Sequence, residues 1–597
     1  MEEAKRRRYD RQLRIWGEHG QGRLEACKVC LLHCGPTGVE AIKNLVLGGI
    51  HSFTLVDDAN VTAKDLGNNF FVHQDDLGKS RASAVAAHLH SLNHSVKGSF
   101  VDERVDDVVN QNPYFFKDFT VVVASNVSGS TLSKLDQVCR STGVSLVSLN
   151  THGLVGTVRT SKTEQTILEA KPEEHDFDFR VNKPWPELLA FARKFAGGNF
   201  KALTETQRAR VPWAVTLINA FDEMQTSRPP QEYPMNSKEY RWTSEDRSQI
   251  KSIIKKQFMD ASAQTKELGD AALPENCGEA LSHARHAWKP PGVVPSPLLE
   301  TLSDAKLDNL TCETDIFWFL LAGLREFLTP SETPSSPSSS WKENLNEMPL
   351  EGSIPDMTST TEWYVALQKL YRDKAHADAA AVCVCAKRLL VAAGRSASDV
   401  TDDDARFFCK HAVNAHVIRW RTVEDELKWA SGAGAEVAKK LNDSDPTVVH
   451  CAARYVVGRA VDVFLETRGR FPGSSVSVNA LQIKEKSNAS NGIDQEMTDM
   501  EHVSFGGKCD VPGDTIALRS IVETLLNDIG VEGNPGSALD DLTTEAVRCA
   551  GGEPHAVAAV VGGIGAQEVI KLVTQQFTPC AHTLVYDAAK AVTATVL

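Results

Sequence analysis

The sequence predicts an α/β domain built on a parallel sheet and interrupted by a large, mainly α-helical insertion. Three observations carry that prediction. Strands and helices alternate through the first 160 residues, helix-period apolar patterns dominate from about 170 to 505, and the α/β character returns from 511 to the end of this 597-residue chain.

The elements follow in order. Residues 28–34 (KVCLLHC) read as a buried strand, Gly35-Pro36-Thr37-Gly38 breaks it, and 39–47 continue as a helix. Further strands are expected at 52–57 (SFTLVD), 119–124 (FTVVVA) and 144–149 (VSLVSL). The insertion shows helical periodicity at 246–268, 313–328, 359–393 and 446–468. Two low-complexity segments, 329–340 and 485–497, lack the apolar residues that would order them. A helix at 554–573 and a strand at 583–587 close the chain. The expected domains are therefore 1–169, the insertion 170–505, and 506–597.

Composition excludes several classes. The net charge of −14 argues against a broad nucleic-acid surface, and the one dense basic run, Lys5 to Arg8, reads better as a solvated arm than as a nuclear address. The first residues lack the apolar core of a secretory signal, and the longest unbroken apolar run, 556–566, is short of the about 20 residues that span a bilayer. Thirteen irregularly spaced cysteines do not form a disulfide framework. A soluble intracellular protein, cytoplasmic and nuclear, is expected.

The segment His33-Cys34-Gly35-Pro36-Thr37-Gly38, with Asp57 following 22 residues after Gly35, has the layout of a nucleotide-binding turn. In such turns glycines let backbone N–H groups approach a phosphate at a helix N-terminus, and the acid holds a ribose hydroxyl. Here His33 stands at the first glycine position and Pro36 removes one donor. The turn predicts the fold; it does not predict a working nucleotide site.

Tyr9-Asp10-Arg11-Gln12 precedes this strand, and GPTGVEAIKNLVLGGI (35–50), TLVDDANVTAKDLGNNFF (54–71), GKSRA (78–82) and GGEPHAVAAVVGGIGAQEVIKLV (551–573) follow in order. Together these segments resemble the ubiquitin-activating-enzyme family, across both arms of the α/β domain. The resemblance implies a Rossmann-like, ThiF-type adenylation fold. That family adenylates the C-terminal carboxylate of a ubiquitin-like modifier with Mg·ATP, then captures it on a cysteine, using a pair of such domains with a single working ATP site.

Position by position, this chain is similar to the silent half. Ala59 stands where the active half has a second acid, Asn68 where it has an arginine, and Ser125 where it has a magnesium-binding aspartate, while Lys79 survives. With His33, these are the losses expected to abolish adenylation, because a transferring phosphate needs oxygen ligands for Mg²⁺ and nearby cations. The degenerate positions are thus His33, Gly35, Gly38, Asp57, Ala59, Asn68, Lys79 and Ser125. The resemblance assigns one catalytic contribution, Arg11, whose guanidinium would enter the partner's ATP site in trans. The alternative is a surface arginine paired with Asp10 or Glu18.

The family's thioester cysteine is typically followed by threonine, and no cysteine here is. Cys277, Cys312, Cys383, Cys385, Cys409 and Cys451 of the expected insertion are read as structural, and Cys27 and Cys30 as packed in or beside the first strand. No metal site is expected, since the CxxC pair has no second pair to complete a zinc ribbon. The insertion resembles a catalytic-cysteine domain without its cysteine, and its helix at 363–382 could dock the catalytic chain or simply pack in a core.

In chain length, insert size and the segments GNNFF (67–71) and EPHAVAAVVGG (553–563), the chain resembles the neddylation branch of that family. The resemblance therefore implies a regulatory subunit pairing with a catalytic subunit, with the modifier as a second partner and a conjugating enzyme binding transiently. No cofactor is expected in this chain, Mg·ATP being bound by the partner subunit. The competing readings are a subunit for another modifier such as SUMO, a self-sufficient adenylating enzyme, and an oxidoreductase on the same fold.

Overall fold

A computed structural model describes residues 2–169, 177–196, 203–227, 235, 240–258, 273–289, 292–329, 345–430, 432–474, 510–531 and 537–597. The low-complexity segment 485–497, and 330–340 of the other, lie outside the described residues, as do the expected boundaries at 170 and 505.

The chain forms two compact units, one of Met1–Gln165 with Val417–Leu597 and one of Thr166–His416. The second boundary falls far before the expected 505. Apolar periodicity identifies a helix but not the layer that it covers, and the helix Pro446–Arg468 packs with the sheet unit. Cys451 accordingly belongs to the sheet unit and not to the insertion.

The sheet unit holds β1 (Lys28–Leu32), β2 (Ser52–Val56), β3 (Lys97–Val101), β4 (Val121–Ser125), β5 (Ser145–His152), β6 (Val155–Ser161), β7 (Leu584–Asp587) and β8 (Val592–Thr595). Their order is β8-β7-β6-β5-β4-β1-β2-β3. The β3-β2-β1-β4-β5 part is parallel, and β6, β7 and β8 add antiparallel to it. All five residues of β4 are buried, as a central strand covered on both faces requires.

Among the helices are α1 (Glu2–Ala26), α2 (Pro36–Gly48), α3 (Arg81–Leu92), α4 (Gly129–Thr142), α5 (Pro446–Arg468) and α6 (His555–Thr574). By length and a mean hydropathy of 1.6, α6 could cross a membrane. Instead its glycines seat it in the core: a Cβ on Gly562 would fall 2.7 Å from the Thr37 carbonyl oxygen of α2, and one on Gly565 2.4 Å from Leu149 of β5.

The α1 segment breaks at Gly17, with φ +68°. Tyr9 is buried, its hydroxyl accepting from Asn93 Nδ2 at 3.1 Å. The ring lies over Gly49, the left-handed C-cap of α2, where a Cβ would approach the hydroxyl to 2.5 Å.

Among the described residues the second unit is mainly helical, with the long helices Trp213–Thr226, Ser244–Phe258, Ile316–Leu328 and Thr361–Ala392. Its core gathers Phe179, Trp213 and Tyr371, the last donating to the Phe179 carbonyl at 2.6 Å. The aromatic face of the 363–382 helix is thus committed inward: Tyr371 is buried and Trp363 packs edge-on to Phe195.

Candidate functional site: a nucleotide turn filled from within

The turn at the C-terminal end of β1 has the expected shape. His33 adopts φ +62°, the left-handed conformation that favours glycine, and its Nδ1 lies 3.1 Å from the Ser125 carbonyl oxygen. Gly38 allows α2 to approach the sheet, since a Cβ there would lie 2.8 Å from the His33 carbonyl oxygen and 2.9 Å from Ser125 Cβ.

The groups that would serve a nucleotide are spent on the protein itself. Asp57, at the ribose position, is buried. Its Oδ2 accepts from Cys34 N at 2.7 Å and Arg81 Nε at 2.9 Å, and its Oδ1 accepts from Ala59 N at 3.0 Å. Burial alone would raise the Asp57 carboxyl; Arg81, His33 and the two backbone N–H groups overcome it and hold the carboxyl below its ordinary value. Arg81 also reaches Asp65 at 3.1 Å. The result is a closed ion-pair network under the turn.

The position above the turn is also taken. Glu553, from the loop before α6, accepts from Thr37 Oγ1 at 3.0 Å, and a Cβ on Gly35 would lie 3.4 Å from its Oε1. An acidic side chain therefore sits at the N-terminus of α2, where the helix dipole favours negative charge. Burial pushes the Glu553 carboxyl up, against the lowering effects of the Thr37 hydroxyl and Arg81.

Asn68 donates to the Glu553 carbonyl at 3.1 Å, and Asn69 donates to the Cys34 carbonyl at 3.0 Å. Both tie the turn to its surroundings, and neither brings a cation. Ser125 is buried at the end of β4, and Lys79 is largely exposed, 3.3 Å from Asp76. Among the described residues, no group of three or more His, Cys, Asp or Glu is placed to hold a metal ion. These residues do not fit Mg·ATP: both Asp57 oxygens are engaged, a carboxylate stands at the helix N-terminus, and the arginine and magnesium positions hold amide and hydroxyl groups.

Sequence reasoning placed the eight degenerate positions around one turn, and seven gather there with β1, β2 and β4; Lys79 stays at the surface. It missed the roles of Arg81 and Glu553, although both lie in the segments GKSRA and GGEPH. Arg81 carried a signal, a lone cation beside the surviving lysine. Glu553 carried none, being 516 residues from Thr37.

Arg11 lies on the exposed side of α1. The acids offered as its alternative partners are engaged elsewhere, Asp10 with Arg14 at 2.9 Å and Glu18 with Arg6. Among the described residues Arg11 makes no ion pair.

Of the six cysteines expected in the insertion, Cys277, Cys383, Cys409 and Cys451 are buried, Cys385 is half-buried and Cys312 is exposed. Cys277 is fully buried in the helix Glu275–Ser282. Burial pushes the Cys383 and Cys385 thiols up, and the Cys409 thiol up to about 12. A thioester-forming cysteine needs the opposite shift. In the sheet unit, burial likewise pushes up Cys30, and Cys27 to about 12.

The sequence profile of the ThiF family matches residues 9–595. The NEDD8-activating enzyme E1 regulatory subunit AXL of Arabidopsis thaliana is 35% identical over 580 residues, covering 97% of both chains. The NEDD8-activating enzyme E1 regulatory subunits of Drosophila melanogaster and Xenopus laevis are 32% and 30% identical, covering 98% and 99% of this chain and 96% and 98% of theirs. The chain belongs to the ThiF family, in its branch of NEDD8-activating enzyme E1 regulatory subunits.

Proposed function

We propose that this chain is the non-catalytic subunit of a two-chain NEDD8-activating enzyme and that the complex requires it for activity. Its partner is the catalytic subunit, which binds Mg·ATP, adenylates the modifier C-terminus and carries the thioester cysteine. The modifier and, transiently, a conjugating enzyme engage the assembled pair.

The observation that carries this reading is the contrast in one unit between a nucleotide turn filled by Glu553, Asp57 and Arg81 and an exposed arginine on α1, Arg11, that makes no ion pair among the described residues. With Tyr9 buried and Gly49 beneath it, the helix around Arg11 is held firmly to the sheet unit. A fixed guanidinium supplied to a neighbouring site balances phosphate charge without reorganising first. Arg11 is thus assigned to the partner's ATP site.

The test is ATP–pyrophosphate exchange by the assembled complex carrying Arg11→Ala or Arg11→Lys, with assembly checked by gel filtration. A large fall in exchange with intact assembly supports the role. Unchanged exchange removes it and leaves Arg11 a surface residue.

A further inference from the structure

The segment that carries Arg11 contains a joint. Gly17 has φ +68° and ψ 178°, a conformation open in practice to glycine alone. It divides α1 into a first rod ending at Trp16, which bears Arg11, and a second piece that leads into β1. A helix that stops leaves its last carbonyl groups without partners inside it, and a glycine joint gives the rod freedom to swing.

Side-chain amides from elsewhere in the sheet unit close that freedom. The Trp16 carbonyl accepts from Nε2 of Gln576 at 3.0 Å, a residue that follows α6 and lies 560 positions further along the chain. The Trp16 indole Nε1 donates to Gln21 Oε1 at 3.0 Å. Gln21 Nε2 donates in turn to the Gly48 carbonyl of α2 at 3.2 Å. Trp16, Gln21 and Gln576 are all buried. Gly20 makes room for the tryptophan, since a Cβ there would fall 2.9 Å from Trp16 Cβ. On the other side of Arg11, Asn93 at the C-cap of α3 donates to the Tyr9 hydroxyl and, at 2.9 Å, to the Val46 carbonyl of α2.

Arg11 therefore stands between two pinned residues, Tyr9 and Trp16. A contact at Tyr9 alone leaves the rod able to pivot; the second clamp, at the joint, removes that motion. Leucine at the buried glutamine positions would add apolar area without the cost of desolvating an amide. Amides stand there instead, where the rod meets the rest of the unit. A guanidinium that acts on a site outside its own chain gains from being fixed before the reaction, and a displacement of about 1 Å costs on the order of a hundredfold in rate.

We propose that Gln576 and Gln21 are positioning residues for Arg11: by clamping Trp16 across the Gly17 joint, they fix where the guanidinium points. The proposal rests on the role in trans given to Arg11 above. It gives the loop after α6 a part in a reaction that takes place in another chain.

The test is steady-state ATP–pyrophosphate exchange by the assembled complex carrying Gln576→Leu, alone and together with Arg11→Ala. Leucine fills most of the glutamine's space and removes the donor. At saturating substrates the Gln576→Leu complex should exchange roughly ten- to a hundredfold more slowly, with the KM for the modifier and assembly by gel filtration unchanged. In the Arg11→Ala background the same change should cost little further, because no guanidinium remains to be positioned. Gln21→Met, read in the same way, breaks the clamp from its other side, so the outcome does not depend on one variant folding.

Exchange unchanged by both glutamine variants, with Arg11→Ala lowering it, would overturn the proposal and leave the role of Arg11 standing. Equal losses in the two backgrounds would also overturn it, as the mark of a general loss of structure. Exchange unchanged by Arg11→Ala itself would remove the role in trans, and the proposal with it.

Discussion

The turn after β1 and the N-terminal helix α1 lie in one folded unit and treat their charged groups in opposite ways. At the turn, Asp57 has Arg81 and two backbone N–H groups, and Glu553 lies at the N-terminus of α2. On α1, Arg11 is exposed and makes no ion pair among the described residues, while Asp10 and Glu18 pair with other arginines. The difference teaches that a turn can keep its shape while its polar groups turn inward. The βαβ geometry persists because it builds the core, and internal groups occupy contacts that a nucleotide would use.

Arg11→Ala probes that contrast with the largest expected effect. Pyrophosphate exchange by the complex should fall by roughly 10²–10³-fold, the usual consequence of losing one preorganised donor to a transition-state charge. Asp57→Ala probes the other side. It strands Arg81 with Asp65 alone and should cost about 3 kcal/mol of stability in chemical denaturation, with exchange by the assembled complex little changed. If Asp57 instead served a nucleotide, the loss would fall on ATP affinity.

Gly49→Ala asks whether the α1 anchor matters. The new methyl meets the Tyr9 hydroxyl at a backbone conformation of φ +84°, so a cost of about 1–3 kcal/mol is expected, with faster proteolysis near residue 9. The smallest effect concerns pH. A hydrogen bond from His88, with further donors from His73 and Lys79, holds the Asp76 carboxyl at about 2, below its ordinary 3.8. A carboxyl depressed in the folded state stabilises above its unfolded value and loses that contribution as pH falls through its folded value. Stability should therefore decline between about pH 4 and 2 through this group, and Asp76→Asn should flatten that part of the profile.

The parts of the fold legible in the sequence are those whose burial is continuous along the chain. Strands β1, β2, β4 and β5 stand out as apolar runs bounded by turn residues. β3, KGSFV, is an edge strand whose first four residues are exposed, and it carries no such run. β6 alternates half-buried and buried residues, and its partners β5 and β7 lie at very different sequence distances. The second domain boundary was misplaced because α5 reads as a helix equally well in either unit. At the site, substitutions at known positions were visible one by one. The Glu553 carboxylate over Gly35 is a product of tertiary contact, and local sequence does not announce it.

The most direct measurement of the central claim is ATP–pyrophosphate exchange and thioester formation with NEDD8, comparing this chain alone with this chain and a NEDD8-activating catalytic subunit. The account predicts no exchange by the chain alone, with robust exchange by the pair and the thioester on the partner only. Exchange by the chain alone, or a thioester on any of its cysteines, would contradict it.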